Sequence, residues 1–246
     1  MPPASLTGAV FQSHGCKLLG GLYLAASDGP RPTAILLHGV PGVEKNLDLA
    51  YALRDHGWNC LYFHYRGCWG SEGAYALGQL VEDTRAAADW LLGNPAVDAA
   101  RLALVGNSLG GYTTLAAGAA DARLRWLVPI CPLSEPALAP LSAADAADYA
   151  AMLNGVTPAQ LQAQWAALAP LPGLAPQLAG RPTLLVTAER DELFAPAHYA
   201  GLLAALPDMA HAQVAGADHS FSAQRAELVH TVTNWLAGAL ADSLTS

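Results

Sequence analysis

Charge is scarce in this sequence. Twelve Lys and Arg and 20 Asp and Glu make up only 13% of 246 residues and leave a formal net charge of −8. The basic residues are scattered rather than clustered, which excludes the electrostatic footprint of a nucleic-acid binder or an anionic-membrane binder. Long uninterrupted apolar runs are missing too. Gly or Pro punctuates the longest ones, so no segment reads as a membrane span. The opening MPPASLTGAVFQSHG has no basic segment followed by an apolar one, so no signal peptide is expected. Cysteine is sparse: Cys16, Cys60, Cys68 and Cys131 form neither a CxxC pair nor a ligand-like spacing with His. Neither a metal centre nor a disulfide framework is expected, and a reduced, cytoplasmic protein fits. With no internal repeat, linker or low-complexity tract, residues 1–246 read as one domain.

What the chain does have is apolar substance, 53% of its residues, enough to bury a sizeable core. Five apolar runs, at 33–39, 60–67, 101–108, 124–132 and 182–191, each end in a polar or Gly-containing turn, and a weaker one follows at 211–220. Helical patterns lie between them at 46–56, 79–92, 109–119, 197–206 and 223–240. Near-continuous apolar strands alternating with helices predict an α/β fold, a mostly parallel sheet with helices on both faces. The opening AVFQSHGCKLLGGLYLAA predicts an antiparallel hairpin at the sheet edge. One segment breaks the alternation. Residues 133–180 should be a single crossover, yet they hold two helical pieces, at 143–153 and 158–168. An insertion after the carboxyl end of a strand lies on the side of the sheet where ligands bind, so this segment is expected to form a small helical cap.

In LVGNSLGGYTTLAAG, Ser108 sits where an apolar strand meets an Ala-rich helix, between Gly106 and Gly110. The pattern G-x-S-x-G arises by chance in a Gly-rich chain, and the setting is what separates this Ser from Ser71 in WGSEG, which does not open a helix directly. A sharp strand-to-helix turn pushes the hydroxyl out above the sheet and requires small residues two before and two after it. Ser108 is the expected nucleophile. A serine hydroxyl needs a base to take its proton and a carboxylate to orient that base. Of eight histidines, His219 alone follows the last strand on the edge that carries Ser108. His38 reads as a turn organiser and His64 as a core residue, while His14, His56, His198, His211 and His230 are expected at the surface. Asp191, just beyond its strand, leads the acids, with Glu192 next and Glu189 and Asp218 behind. The backbone N–H of Leu109 and that of Val40, in the Gly-rich turn HGVPG, are expected to bind the oxyanion; Pro41 has no N–H to offer.

These residues resemble those of an α/β-hydrolase over essentially the whole chain. LLHGVPGVEKN, YRGCWGSEG, DWLLGNPAVDAARLALVGNSLGG and TAERDELFAP followed by GADHSF are similar to single-domain esterases near the cinnamoyl esterases and to the catalytic domain of prolyl oligopeptidases. The resemblance implies a Ser108–Asp191–His219 triad with oxyanion donors at Val40 and Leu109. Asn107 stands where these esterases commonly have His, and GNS-x-GG also occurs in hydrolases that cleave carbon–carbon bonds. The expected activity is that of a serine carboxylesterase working through an acyl-enzyme on a small or medium ester, with no metal or organic cofactor. A prolyl-oligopeptidase-type peptidase or amidase, a carbon–carbon hydrolase and a non-catalytic binding protein are the alternatives. The expected partner is a small-molecule ester, with a homodimer left open. Trp165 in the cap and Trp69 in the loop after CLYFHYRG are expected to line the substrate pocket.

Overall fold

The computed structural model describes residues 1–245. The first two strands, β1 (Ser5–Ser13) and β2 (Cys16–Leu24), form the expected hairpin, closed by His14 and Gly15 at φ 47° and 81°. Positive φ at both central residues is the turn geometry that matches the right-handed twist of paired strands. After them come β3 (Arg31–Leu37), α1 (Leu47–Asp55), β4 (Asn59–Phe63), α2 (Leu80–Leu92), β5 (Val97–Asn107), α3 (Leu109–Ala120) and β6 (Leu124–Ile130). The remainder holds α4 (Ala143–Ala151), α5 (Pro158–Ala166), the single-turn α6 (Ala175–Leu178), β7 (Leu184–Ala188), α7 (Ala197–Ala205), β8 (Ala210–Val214) and α8 (Arg225–Thr245).

The eight strands join in the order β1-β2-β4-β3-β5-β6-β7-β8. β2 runs antiparallel to β1 and β4, and all later pairings are parallel. Alternate strand residues serve opposite layers. Ile35, Leu37, Leu102 and Leu104 pack with Ala87, Leu91 and Leu115 of α2 and α3, whereas Ala34, Leu36, Ala103 and Val105 pack with Leu49, Leu53, Leu228 and Val232 of α1 and α8. Both faces are covered, which is why the strands read as continuous apolar runs rather than as an alternation.

The chain first winds from β3 outward to β4, then returns to β5 and proceeds the other way through β6, β7 and β8. The carboxyl ends of β3 and β5 therefore flank the point where the winding reverses, and a crevice opens there. β6 and β7 meet through Ile130 and Val186 and a bridge at Leu127 and Thr183, and the chain between them, including α4 and α5, rises over that same edge.

Candidate active site

Ser108 occupies φ 56°, ψ −119°, a region that non-glycine residues avoid. The surroundings impose this conformation. Its N–H donates to Ile130 O, and its own carbonyl accepts from Tyr112 and Leu133. A Cβ on Gly106 would strike the Gly110 carbonyl, and one on Gly110 would strike the Leu37 carbonyl. Two glycines thus let α3 start against β5 and β3 with nothing between the backbones, and the turn projects Ser108 into a cavity of about 460 Å³.

His219 and Asp191 reach the same place from the far half of the chain. The His219 Nδ1 lies 3.0 Å from each Asp191 carboxylate oxygen, and the two side chains are 7% and 2% exposed. Asp191 Oδ1 also accepts from the Leu193 and Phe194 N–H groups at 2.9 and 2.8 Å, and Oδ2 accepts from the Tyr199 hydroxyl at 3.3 Å. Burial pushes the Asp191 carboxyl up, but the hydrogen bond and charge of His219, together with these N–H donors, outweigh it and hold the group below the ordinary carboxylate range. Asp191 stays ionised and fixes Nδ1 as the protonated nitrogen, leaving Nε2 to accept.

The rival acids have other partners. Glu189 accepts from Gly216 N–H at 2.7 Å, Glu192 from His219 N–H at 3.0 Å and Asp218 from Ser222 N–H at 2.8 Å. Glu189 and Glu192 lash the histidine loop to the acid loop, and Asp218 braces the histidine loop internally.

The turn after β3 is braced from beneath. His38 Nδ1 donates to Gly39 O at 2.6 Å, and the Trp69 indole N–H donates to Pro41 O at 2.8 Å. Gly42, at φ 91°, lies so close that a Cβ there would be 2.8 Å from both His38 Nδ1 and Trp69 Nε1. Val40 lines the cavity, Leu109 opens α3, and neither backbone N–H is donated to a protein acceptor among the described residues. Pro41 also lines the cavity.

The roof comes from the 133–180 segment: Ala139, Pro140, Leu141, Tyr149 and Trp165 face Ser108 across the cavity. Trp165 lines it as expected and anchors its indole N–H on Ala139 O at 2.8 Å. Trp69 does not line it. Its N–H is committed to the Pro41 carbonyl and Lys45 Nζ sits 5.0 Å above its ring, so it props the turn from outside with 44% of its surface exposed. Sequence reasoning missed Leu193, Phe194, Glu44 and Asp145 as lining residues. For Phe194 the signal was adjacency to Asp191; Glu44 and Asp145 left none.

His198 is a second correction: expected at the surface, it is 3% exposed. Its Nε2 accepts from Ser134 N–H at 2.8 Å, which fastens the root of the 133–180 segment to α7. Burial lowers His198 to about 4, His38 to about 4 and His64 to about 3, with Lys45 adding to the last two. All three stay neutral in the folded chain and take up protons on unfolding, so their contribution is complete above the ordinary value of about 6.5 and is lost as pH falls toward 4. Between pH 7 and pH 5 the enclosed His38 alone should remove about 2 kcal/mol of stability. Urea midpoints at the two pH values check this; an unchanged midpoint would refute it.

The model of the prolyl oligopeptidase family matches residues 47–243. An uncharacterised protein of Mycobacterium tuberculosis is 37% identical over 109 residues, 44% of this chain and 39% of that protein. The polyketide transferase grgF of Penicillium is 32% identical over 126 residues, covering 48% of this chain and 42% of its own length. The chain thus spans about two-fifths of the length of these curated relatives. The crystal structure of GrgF, described as an α/β-hydrolase, superposes with a TM-score of 0.78 at 20% identity over 94% of this chain and 98% of that one. Est1E of Butyrivibrio proteoclasticus with ferulic acid bound superposes at 0.75, with 16% identity, over 95% and 99%. At such identities the likeness is one of fold. No described helix is long and apolar enough to cross a membrane.

Proposed function

Because this chain belongs to the prolyl oligopeptidase family of the α/β-hydrolases, we propose that it is a serine carboxylesterase acting on small or medium esters. Ser108 Oγ attacks the ester carbonyl while His219 Nε2 takes its proton. The N–H groups of Val40 and Leu109 bind the oxyanion, and His219 then protonates the departing alcohol. Water, activated by the same nitrogen, releases the acid. Asp191 holds the imidazole and offsets its transient charge. The observation that carries this reading is the strained Ser108 projecting into a cavity that His219, held by a buried carboxylate, also lines.

The 133–180 segment acts as the cap, and its Tyr149 and Trp165 favour an apolar or aryl acyl group. The ferulic acid held by Est1E agrees with that preference. Four free cysteines, three of them buried, support a reducing, cytoplasmic setting.

One observation favours a second reading, a peptidase or amidase. Glu44 and Asp145 line the cavity, and no Lys or Arg does among the described residues, so a substrate ammonium would find acceptors there. A panel of p-nitrophenyl acetate, aryl esters and aminoacyl arylamides decides between the two. Faster turnover of arylamides than of esters would reverse our choice. Trp165→Ala should lower aryl-ester turnover roughly tenfold while acetyl-ester turnover changes less than threefold, the scale of one lost apolar contact surface. Equal losses on both would reduce Trp165 to a cap anchor.

A further inference from the structure

Asn107 immediately precedes Ser108 and lines the cavity, yet the proposed chemistry gives it no task. Its side chain ends a hydrogen-bond relay that begins on α8. Arg225 is held by Asp48, with Nε 2.8 Å from Oδ2 and Nη2 2.5 Å from Oδ1. The same Nη2 donates to Asn46 Oδ1 at 2.9 Å, and Asn46 Nδ2 donates to Asn107 Oδ1 at 2.9 Å. Asn46 is 4% exposed and held at φ 53°, with its N–H on Glu44 Oε1.

The order of donors in this relay is dictated. A guanidinium can only donate, so Asn46 must turn its oxygen toward Arg225 and its NH₂ toward Asn107. Asn107 must then answer with its oxygen, which leaves its own NH₂ beside Gly39, 3.6 Å from where a Cβ on that glycine would stand. Arg225 also donates to Ser220 O at 3.3 Å, so one side chain ties together the turn after β3, the nucleophile turn and the histidine loop.

Resting on the serine-esterase reading above, we propose that Asn107 donates an N–H to a substrate oxygen beside Ser108, and that Asn46 and Arg225 are the positioning residues that keep this donor facing the cavity. Asn46→Asp is the discriminating change. It preserves size and the Arg225 contact but sets a carboxylate oxygen against Asn107 Oδ1, which turns the Asn107 amide over and presents a carbonyl to substrate.

Turnover of p-nitrophenyl acetate by the wild type, Asn46→Asp, Asn107→Ala and the double variant is the first test. Each single change should lower kcat/KM about tenfold, the worth of one hydrogen bond. The double variant should be no worse than Asn107→Ala, because Asn46 acts through Asn107. Multiplying losses, about a hundredfold in the double variant, would overturn the proposal, as would an unchanged rate in Asn107→Ala. Should Asn46→Asp fold poorly, Arg225→Ala, which frees the Asn46 amide to turn, replaces it in the same cycle. The second test needs no activity. The Asn107 side-chain amide protons should show nuclear Overhauser contacts to the Gly39 α-protons in the wild type and lose them in Asn46→Asp. Missing contacts in a wild type that hydrolyses ester would sink the relay alone. Contacts present without ester turnover would instead sink the esterase reading.

Discussion

Ser108→Ala should abolish ester turnover, with a loss of roughly 10⁴-fold or more, while the protein folds and melts as before. The bonds that hold residue 108 in place come from its main chain, to Ile130, Tyr112 and Leu133, and an alanine keeps all three. Alanine is also no worse than serine at φ 56°, so the stability change should stay within about 1 kcal/mol. A fluorophosphonate should label Ser108 and no other serine, and the variant should take no label, as read by mass spectrometry of the digested protein. Labelling at Ser71 would defeat the assignment. Ser71 is buried, with its hydroxyl donated to His64 O at 2.7 Å and accepting from Leu19 N–H at 3.0 Å, so a reagent meets no free nucleophile there.

Asp191→Asn should cost about 10⁴-fold in kcat, and the hydrogen bonds give the reason. The Leu193 and Phe194 N–H groups both donate to Oδ1, so an asparagine would keep its oxygen there and place its NH₂ at the Oδ2 position facing His219. An NH₂ facing Nδ1 favours the tautomer with the ring proton on Nε2, and in that tautomer the ring cannot take the Ser108 proton. Glu192→Gln should cost less than tenfold, because a glutamine oxygen still accepts the His219 N–H that Glu192 accepts now. Steady-state kinetics on a short ester, with melting curves as the control for folding, measures both. A larger loss in Glu192→Gln would transfer the role of acid to Glu192.

The contrast between these two carboxylates shows where sequence reasoning stopped. The place of Asp191 just past an apolar strand singles it out among the acids, and the structure sets it 3.0 Å from His219 Nδ1. That Glu192 holds the backbone of the same histidine was invisible, since a backbone N–H carries no signature in a side-chain pattern. Trp69 illustrates the opposite error. An aromatic in the loop after CLYFHYRG reads as a pocket wall, but its indole N–H finds the Pro41 carbonyl across 28 positions of sequence. His198 reads as a surface residue because a helix of mean apolar character hides which of its faces meets the core.

By itself the sequence determined the alternation of strands and helices, the edge hairpin, the interruption at 133–180 and the turn that carries Ser108. Those are local matters: side-chain periodicity, Gly at positions that backbones must approach, and apolar runs long enough to be covered on both faces. Tertiary structure alone decided which side chains share the crevice. The reversal of winding between β3 and β5 gathers the Val40 turn, Ser108 and His219 around one cavity with Asp191 held against His219, brings Glu44 and Asp145 to its walls, and leaves Trp69 behind the turn. It also orders the Arg225–Asn46–Asn107 relay, whose members lie up to 179 positions apart. Such contacts depend on the packing of layers and on which donor meets which acceptor, and both arise only when the whole chain has closed on its core.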